Sequence, residues 1–160
     1  MTGKTASDSY RLPDEAKALI RGANFAHLAT LMLDGSPQAD PVWVDLEGEQ
    51  IVIGSSASTV KCRNAKRDPR VAVSVVSTDN PYLEAQFRGR VVDVRPDPDL
   101  ATMDRISRKY TGRAFPFRQS PQRIVMVIEV EWARTAKLPL THAPDDGLIG
   151  TAHNALTDKK

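Results

Sequence analysis

The chain has 160 residues, of which 41% are hydrophobic and 26% charged, and its net charge is +2. These values predict one globular domain, and the absence of any apolar run near 18 residues excludes a membrane-spanning helix. No secretion signal is expected from the polar N-terminus, and the single cysteine, Cys62, cannot form an internal disulfide, so a cytoplasmic protein is expected.

The first half of the chain is predicted to form one helix and three strands. Residues 1–11 are polar and are expected to be disordered, and a helix then runs from Pro13 to Gly22. Strands are predicted over residues 24–33, 38–46 and 50–54. His27 falls in the apolar first strand and is expected to be buried. Pro37 and Pro41 cannot donate ladder hydrogen bonds, so the first half of the second strand is expected to be a sheet edge or irregular.

The second half begins with a short helix and continues with strands over residues 71–76 and 82–95. In the longer strand the apolar residues change parity near Gly89, which predicts a bulge or bend there. A last helix starts at Asp97 and stops at Gly112, and residues 122–132 form the sixth strand. Closely spaced strands indicate an antiparallel, mainly β barrel with flanking helices over residues 12–138, followed by a polar tail over 139–160.

The stretch over residues 53–70, IGSSASTVKCRNAKRDPR, carries the strongest functional signal. Four hydroxyl side chains stand between the third strand and a helix that begins near Lys61. Free N–H groups and the partial positive charge of a helix start favour a phosphate there. Residues 61–70 contain five cations and one anion, so +4, while the rest of the chain sums to −2. The alternative is a capped helix with a solvated basic face. A nucleic-acid site is not expected, because no aromatic residues are interleaved with the cations.

Other chemistry is absent from the sequence. His27, His142 and His153 are far apart, so with one cysteine they offer no metal-ligand spacing. Neither GxGxxG nor GxxxxGK[ST] occurs. Alternation does not place Asp40 and Asp45 on one face as an acid pair, and Cys62 has no catalytic signature.

Four segments in order, FAHLATLMLDGSPQADPVWVDLEG, IGSSASTVKCRNAKRDPRVAVSV, PYLEAQFRGRVVDV and MDRISRKYTGRAFP, resemble one known family. The chain is similar to the pyridoxamine 5′-phosphate oxidase-like flavin-binding split barrels, in particular the actinobacterial branch that uses the deazaflavin coenzyme F420. The resemblance covers residues 24–132. It implies a six-stranded split β-barrel, and a homodimer with two cofactor sites at the subunit interface.

The resemblance also implies which residues hold the cofactor. Residues after the third strand would hold its phosphate, and the Pro41 segment would lie along its ring. Tyr82 and the Lys109–Tyr110 region would come from the second subunit. The implied cofactor-binding set is Pro41, Val42, Trp43, Ser55, Ser56, Thr59, Val60, Lys61, Asn64, Arg67, Tyr82 and Tyr110.

Two departures from the family pattern favour F420. Val60 stands where the flavin-using oxidases commonly have an arginine, and the Arg-x-His that grips pyridoxal phosphate is missing after Trp132. Arg63, Lys66, Arg67 and Arg70 would suit the acidic tail of F420. The predicted function is an F420-dependent reductase that passes a hydride to an electron-poor small molecule. The alternatives are an FMN-dependent enzyme of the same fold, or a carrier of flavin, F420 or haem without turnover.

Three of the implied residues have a competing structural interpretation. Lys61 is interpreted as a solvent-accessible phosphate clamp, and the alternative is an exposed lysine without a role. Trp43 faces either a cleft or a dimer core. Tyr110 lies on an apolar helix stripe, where core packing is favoured. The cofactor carries its own hydride chemistry, so no catalytic acid or base is required.

Overall fold

The computed structural model describes residues 10–119 and 122–141. The expectations for the first nine residues, for His142 and His153 and for the end of the tail lie outside these residues. The described part contains the helices α1 (Asp14–Arg21), α2 (Val60–Arg67) and α3 (Ala101–Thr111). Its strands are β1 (Ala26–Leu31), β2 (Pro37–Val42), β3 (Asp45–Glu47), β4 (Gln50–Ser56), β5 (Arg70–Val76), β6 (Leu83–Pro96) and β7 (Arg123–Lys137).

The seven strands form one sheet in the order β2-β1-β5-β6-β7-β4-β3, and every neighbouring pair is antiparallel. Within the described residues the edge strands β2 and β3 do not pair with each other, so the sheet does not close. The prediction of a mainly β, antiparallel fold with flanking helices is confirmed. The predicted count of six strands is wrong.

The extra strand arises because the predicted second strand is divided at Trp43 and Val44. The N–H of Val44 donates to Tyr110 Oη at 3.2 Å, and its carbonyl accepts from Lys109 Nζ. These backbone groups are therefore used by α3 and not by a neighbouring strand. β2 then pairs with β1 at one edge of the sheet, and β3 pairs with β4 at the other. Alternation in the sequence continues through Leu46 and gives no sign of this break.

The expected bulge near Gly89 is confirmed as an irregularity in the ladder between β6 and β7, although the parity of β6 itself changes only at Val92. Arg88 pairs with Trp132 but Gly89 pairs with Val130, which leaves one residue of β7 unpaired. A second shift follows between Val91 and Asp93. Such bulges increase the local twist and bend a strand, so the two longest strands curve around the core.

The main core lies on one face of the sheet and contains the buried Leu28, Ile53, Phe87 and Met126. Ala26 and Leu28 point into the core, so the intervening His27 points out and is exposed. The expectation of a buried histidine is therefore wrong, because the strand is covered on one face only.

The helix ends follow the sequence signals. Gly112 ends α3 with φ of 73°, a conformation that glycine adopts without a Cβ penalty. The carboxylate of Asp97 accepts from the backbone N–H groups of Thr102 at 3.2 Å and Met103 at 2.9 Å. This confirms Asp97 as the start signal of α3, which packs against β4 and so forms one wall of the site below.

Candidate cofactor-binding cleft

A cleft of about 610 Å³ opens where β2, β4, the start of α2 and α3 meet. Its walls combine apolar side chains with hydroxyl and cationic groups. The lining residues are Phe25, Pro41, Val42, Trp43, Gly54, Ser55, Ser56, Thr59, Lys61, Met103, Phe115 and Arg123.

The start of α2 positions the hydroxyl groups that line the cleft. Thr59 is the N-cap: its Oγ1 accepts from the N–H of Cys62 at 3.4 Å and donates to the carbonyl of Ser56 at 2.8 Å. Ser55 Oγ lies 3.1 Å from Thr59 Oγ1, and Ser56 Oγ lies 3.1 Å from Ser58 Oγ. The first turn of α2 carries no acidic residue, so the positive end of the helix dipole is open to an anionic ligand.

Lys61 reaches the cleft from the first turn of α2 and is held there by Asp40. Its Nζ lies 3.6 Å from Asp40 Oδ1, and only 17% of its side chain is exposed. The expectation of a solvent-accessible lysine is therefore wrong. Asp40 Oδ2 is buried and accepts no hydrogen bond from the described residues. The carboxylate therefore attracts and orients the ammonium group, and offsets part of its charge.

Another part of the cleft wall is aromatic. The ring of Trp43 stacks on that of Tyr110, with centroids 5.1 Å apart and planes 7° from parallel. Tyr110 Oη donates to the carbonyl of Asn24 at 2.7 Å and accepts from Val44, so the stack is fixed at both sides. This geometry leaves Trp43 on the cleft wall with its indole orientation fixed by α3.

Lys109 precedes Tyr110 on α3 and lies beside this aromatic pair. It donates to the carbonyls of Ile20, at 2.7 Å, and Val44, and its Nζ lies 3.8 Å from Asp45 Oδ1. Burial lowers the pKa of Lys109 to about 8 and raises that of Tyr110 above its usual value. Both side chains brace the chain between β2 and β3 from within the same subunit.

The structure brings most of the predicted site residues together. Those that line the cleft are Pro41, Val42, Trp43, Ser55, Ser56, Thr59 and Lys61. Val60, Asn64, Arg67, Tyr82 and Tyr110 are not in its lining, although Tyr110 supports Trp43.

Asn64 and Arg67 tie α2 to β1. Asn64 Nδ2 donates to Thr30 Oγ1 at 3.0 Å, and Arg67 donates to the carbonyl of Leu31 at 2.6 Å. Arg67 also donates to Asn64 Oδ1 at 3.0 Å. Within one subunit these side chains therefore hold α2 against β1. Tyr82 precedes β6, where its carbonyl accepts from the N–H of Leu138.

Sequence reasoning missed the cleft residues that come from distant parts of the chain, namely Phe25, Gly54, Met103, Phe115 and Arg123. Gly54 had a usable signal, because a glycine inside a strand often marks a close approach. A Cβ on Gly54 would lie 2.5 Å from Met103 Sδ, so the glycine lets α3 pack tightly on β4. Arg123 had no local signal: it reaches the cleft because it pairs with Ser56 in the ladder between β4 and β7.

Residues 10–119 and 122–141 contain no cluster of three or more metal-ligating side chains. Cys62 is buried. Among the same residues, no helix is long and apolar enough to cross a membrane. The cleft thus combines hydroxyls, N–H groups and cations with an aromatic wall, which suits a ligand with a phosphate and a flat ring.

Comparison with known families matches residues 12–137 to the pyridoxamine 5′-phosphate oxidase family. Among solved structures, the chain is similar to an F420 reductase with 31% sequence identity and a TM-score of 0.71. The alignment covers 77% of this chain and 98% of that one.

Two more distant structures show the same fold. The conserved hypothetical protein Rv2991 from Mycobacterium tuberculosis is 20% identical, with a TM-score of 0.67 over 90% of this chain and 99% of that one. General Stress Protein 26 from Bacillus anthracis is 14% identical, with a TM-score of 0.60 over 77% and 92% of the two chains. The resemblance drawn from the sequence is thus confirmed, and the chain belongs to the pyridoxamine 5′-phosphate oxidase-like family, in which it is similar to an F420 reductase.

Proposed function

We propose that the protein is an oxidoreductase with a flavin-type cofactor, and that this cofactor is F420. The proposed reaction passes a hydride from the reduced deazaflavin to an electron-poor small molecule. The observation that carries the proposal is the single cleft that joins the hydroxyl-rich start of α2 to the Trp43 wall. A phosphate fits at the hydroxyl-rich start of α2, and a flat ring fits along the Trp43 wall.

The chain's own residues supply binding and orientation. Ser55, Thr59 and Lys61 would hold the phosphate with the free N–H groups of α2. The backbone from Pro41 to Trp43 would lie along the ring, with Trp43 fixed by its stack on Tyr110. When bound, the reduced cofactor supplies the hydride, so the protein needs only to place the acceptor beside it.

Three features support F420 over FMN. The F420 reductase is 31% identical over most of the chain. Val60 stands where a second phosphate cation is common in the flavin-using oxidases. Beyond it, Arg63, Lys66 and Arg67 are exposed along α2 and could attract an acidic tail.

Equilibrium titration of the purified protein with F420 and with FMN tests the cofactor assignment. We expect tighter binding of F420. Tighter binding of FMN, or binding of neither, would contradict the assignment. Mixing the protein with reduced F420 and an electron-poor acceptor then separates an enzyme from a carrier, because a carrier binds the cofactor without oxidising it.

We further propose that two copies form the cofactor sites together. The outer sheet face presents the small residues Ala29, Ala39 and Ala72 beside the exposed rings of His27 and Trp132. Small side chains permit close approach of a second sheet, and a C₂ dimer would bury this face against itself. A second copy of the chain at this face is the partner that the family resemblance implies.

Light scattering at micromolar concentration should therefore give twice the chain mass of 17.6 kDa. Replacing Trp132 by glutamate should shift the mass toward the monomer, because it places a charge in an apolar interface. Leu33→Glu, at an exposed residue in the β1–β2 turn, is the control and should leave the dimer intact. A monomeric wild-type protein would refute the shared-site arrangement.

A further inference from the structure

Arg123, the first residue of β7, brings a second cation into the cleft. It pairs with Ser56 across the ladder to β4 and lines the cleft with Ser55, Ser56 and Lys61. Its guanidinium carbon lies 4.6 Å from the centre of the Phe115 ring. Stacking on an aromatic face fixes a guanidinium plane while leaving its in-plane N–H groups available for a ligand.

The Arg123 guanidinium forms no hydrogen bond within the described residues, whereas the backbone carbonyl of Arg123 accepts from the N–H of Asp97. Its Nε is buried and donates to none of their atoms, and none of their carboxylates forms an ion pair with it. A buried N–H group without an acceptor costs free energy, so a partner is expected from outside this set. An anionic oxygen in the cleft would provide it.

Asp40 leaves Lys61 with less than a full positive charge to offer a phosphate. The ammonium group of Lys61 lies 3.6 Å from Asp40, which offsets part of its charge. The uncompensated positive charge of the cleft lining therefore belongs to Arg123. Val60 supplies no cation on the helix side, and Arg123 stands on the sheet side of the same hydroxyl groups.

We infer that Arg123 is a phosphate ligand of the bound cofactor, and that it takes over from β7 the role that an arginine at position 60 would have. The inference rests on the proposed function, and it extends it by naming a residue from a different element. A planar guanidinium can donate two parallel hydrogen bonds to a phosphate, which gives it both affinity and orientation.

The test compares ligands with and without the phosphate, and the pair of FMN and riboflavin differs in the phosphate alone. FMN is paired with riboflavin, and F420 with its deazaflavin chromophore lacking the phosphate and tail. Arg123→Gln should weaken binding of the phosphate-bearing member by about 10- to 100-fold, the worth of a charge-assisted hydrogen bond. The phosphate-free member should bind as it does to the wild type. The matched control is Arg113→Gln, an exposed arginine outside the cleft lining, for which both affinities should change by less than about twofold.

An equal loss for both members of a pair would overturn the inference, because Arg123 would then act on the ring or through Phe115. Unchanged binding of the phosphate-bearing member would overturn it as well. If Arg123→Gln does not fold, Arg123→Lys decides by the same comparison. Wild-type protein that binds none of the four ligands would refute the proposed function itself, whereas binding that is insensitive to Arg123 refutes only this inference.

Discussion

Lys61→Ala is expected to weaken cofactor binding by one to two powers of ten. The substitution removes a charge-assisted hydrogen bond to the phosphate, which is worth about 1.5–3 kcal/mol. The loss should persist at high salt, because the ammonium group is mostly shielded from solvent and held against the cleft by Asp40. Titration of wild type and variant with the cofactor, at low and high salt, measures both effects.

Lys66→Ala is the matched control. Lys66 is exposed in the last turn of the same helix and does not line the cleft. Its removal should reduce affinity much less, and salt should abolish the difference. Equal losses for the two lysines would mean that α2 acts as a diffuse positive surface, and the phosphate site at Ser55 and Lys61 would have to be abandoned.

Asp40 makes a second readout possible. Removing Lys61 leaves a carboxylate with one buried, unbonded oxygen and no cation, so the Lys61→Ala variant should also be less stable. Adding Asp40→Asn should restore much of the stability and none of the phosphate affinity. Thermal melts of the apo forms, set beside the titrations, separate the fold from the binding role of the pair.

Gly89→Ala is expected to destabilise the fold strongly. A Cβ at this position would lie 2.1 Å from the carbonyl oxygen of Glu129 and 3.1 Å from Cα of Val130. Both are backbone atoms of β7 and cannot move aside without shifting the strand. Overpacking of this kind costs about 3 kcal/mol, which for a chain of this length lowers Tm by roughly 6–12 °C.

The neighbouring substitution Arg90→Ala serves as the control, because Arg90 is exposed and its replacement does not affect the close approach of the β6 and β7 backbones. It should shift Tm by little. If the Gly89→Ala protein has the same Tm as the wild type, β6 and β7 approach each other less closely than described, and the bulge does not require glycine.

Features with a local cause could be predicted from the sequence. The irregular ladder between β6 and β7 appears in the sequence as a change of parity in β6, since side chains alternate strictly along a regular strand. The structure places that change at Val92, three residues after Gly89. The N-cap at Thr59 and the cation at Lys61 appear as adjacent residue types in one short stretch. Pro37 and Pro41 mark β2 as an edge because they have no N–H to donate.

Features that depend on pairing between distant parts of the chain could not be predicted from the sequence. Arg123 reaches the cleft only through its register with Ser56, and Asp40 meets Lys61 only because β2 lies beside α2. The break at Val44 is made by Tyr110 and Lys109, which are remote in sequence. In each case the partner is chosen by the assembled sheet, and no window of sequence contains both residues.

The open sheet leaves two free edges, each a potential template for another chain's strand. Proline in β2 removes two of the N–H groups that an incoming strand would need. β3 has only three residues, and its Asp45 and Glu47 carboxylates are held by Arg105 and Arg95. The sheet can therefore stay open at both edges without promoting edge-to-edge aggregation while the protein is concentrated or newly made.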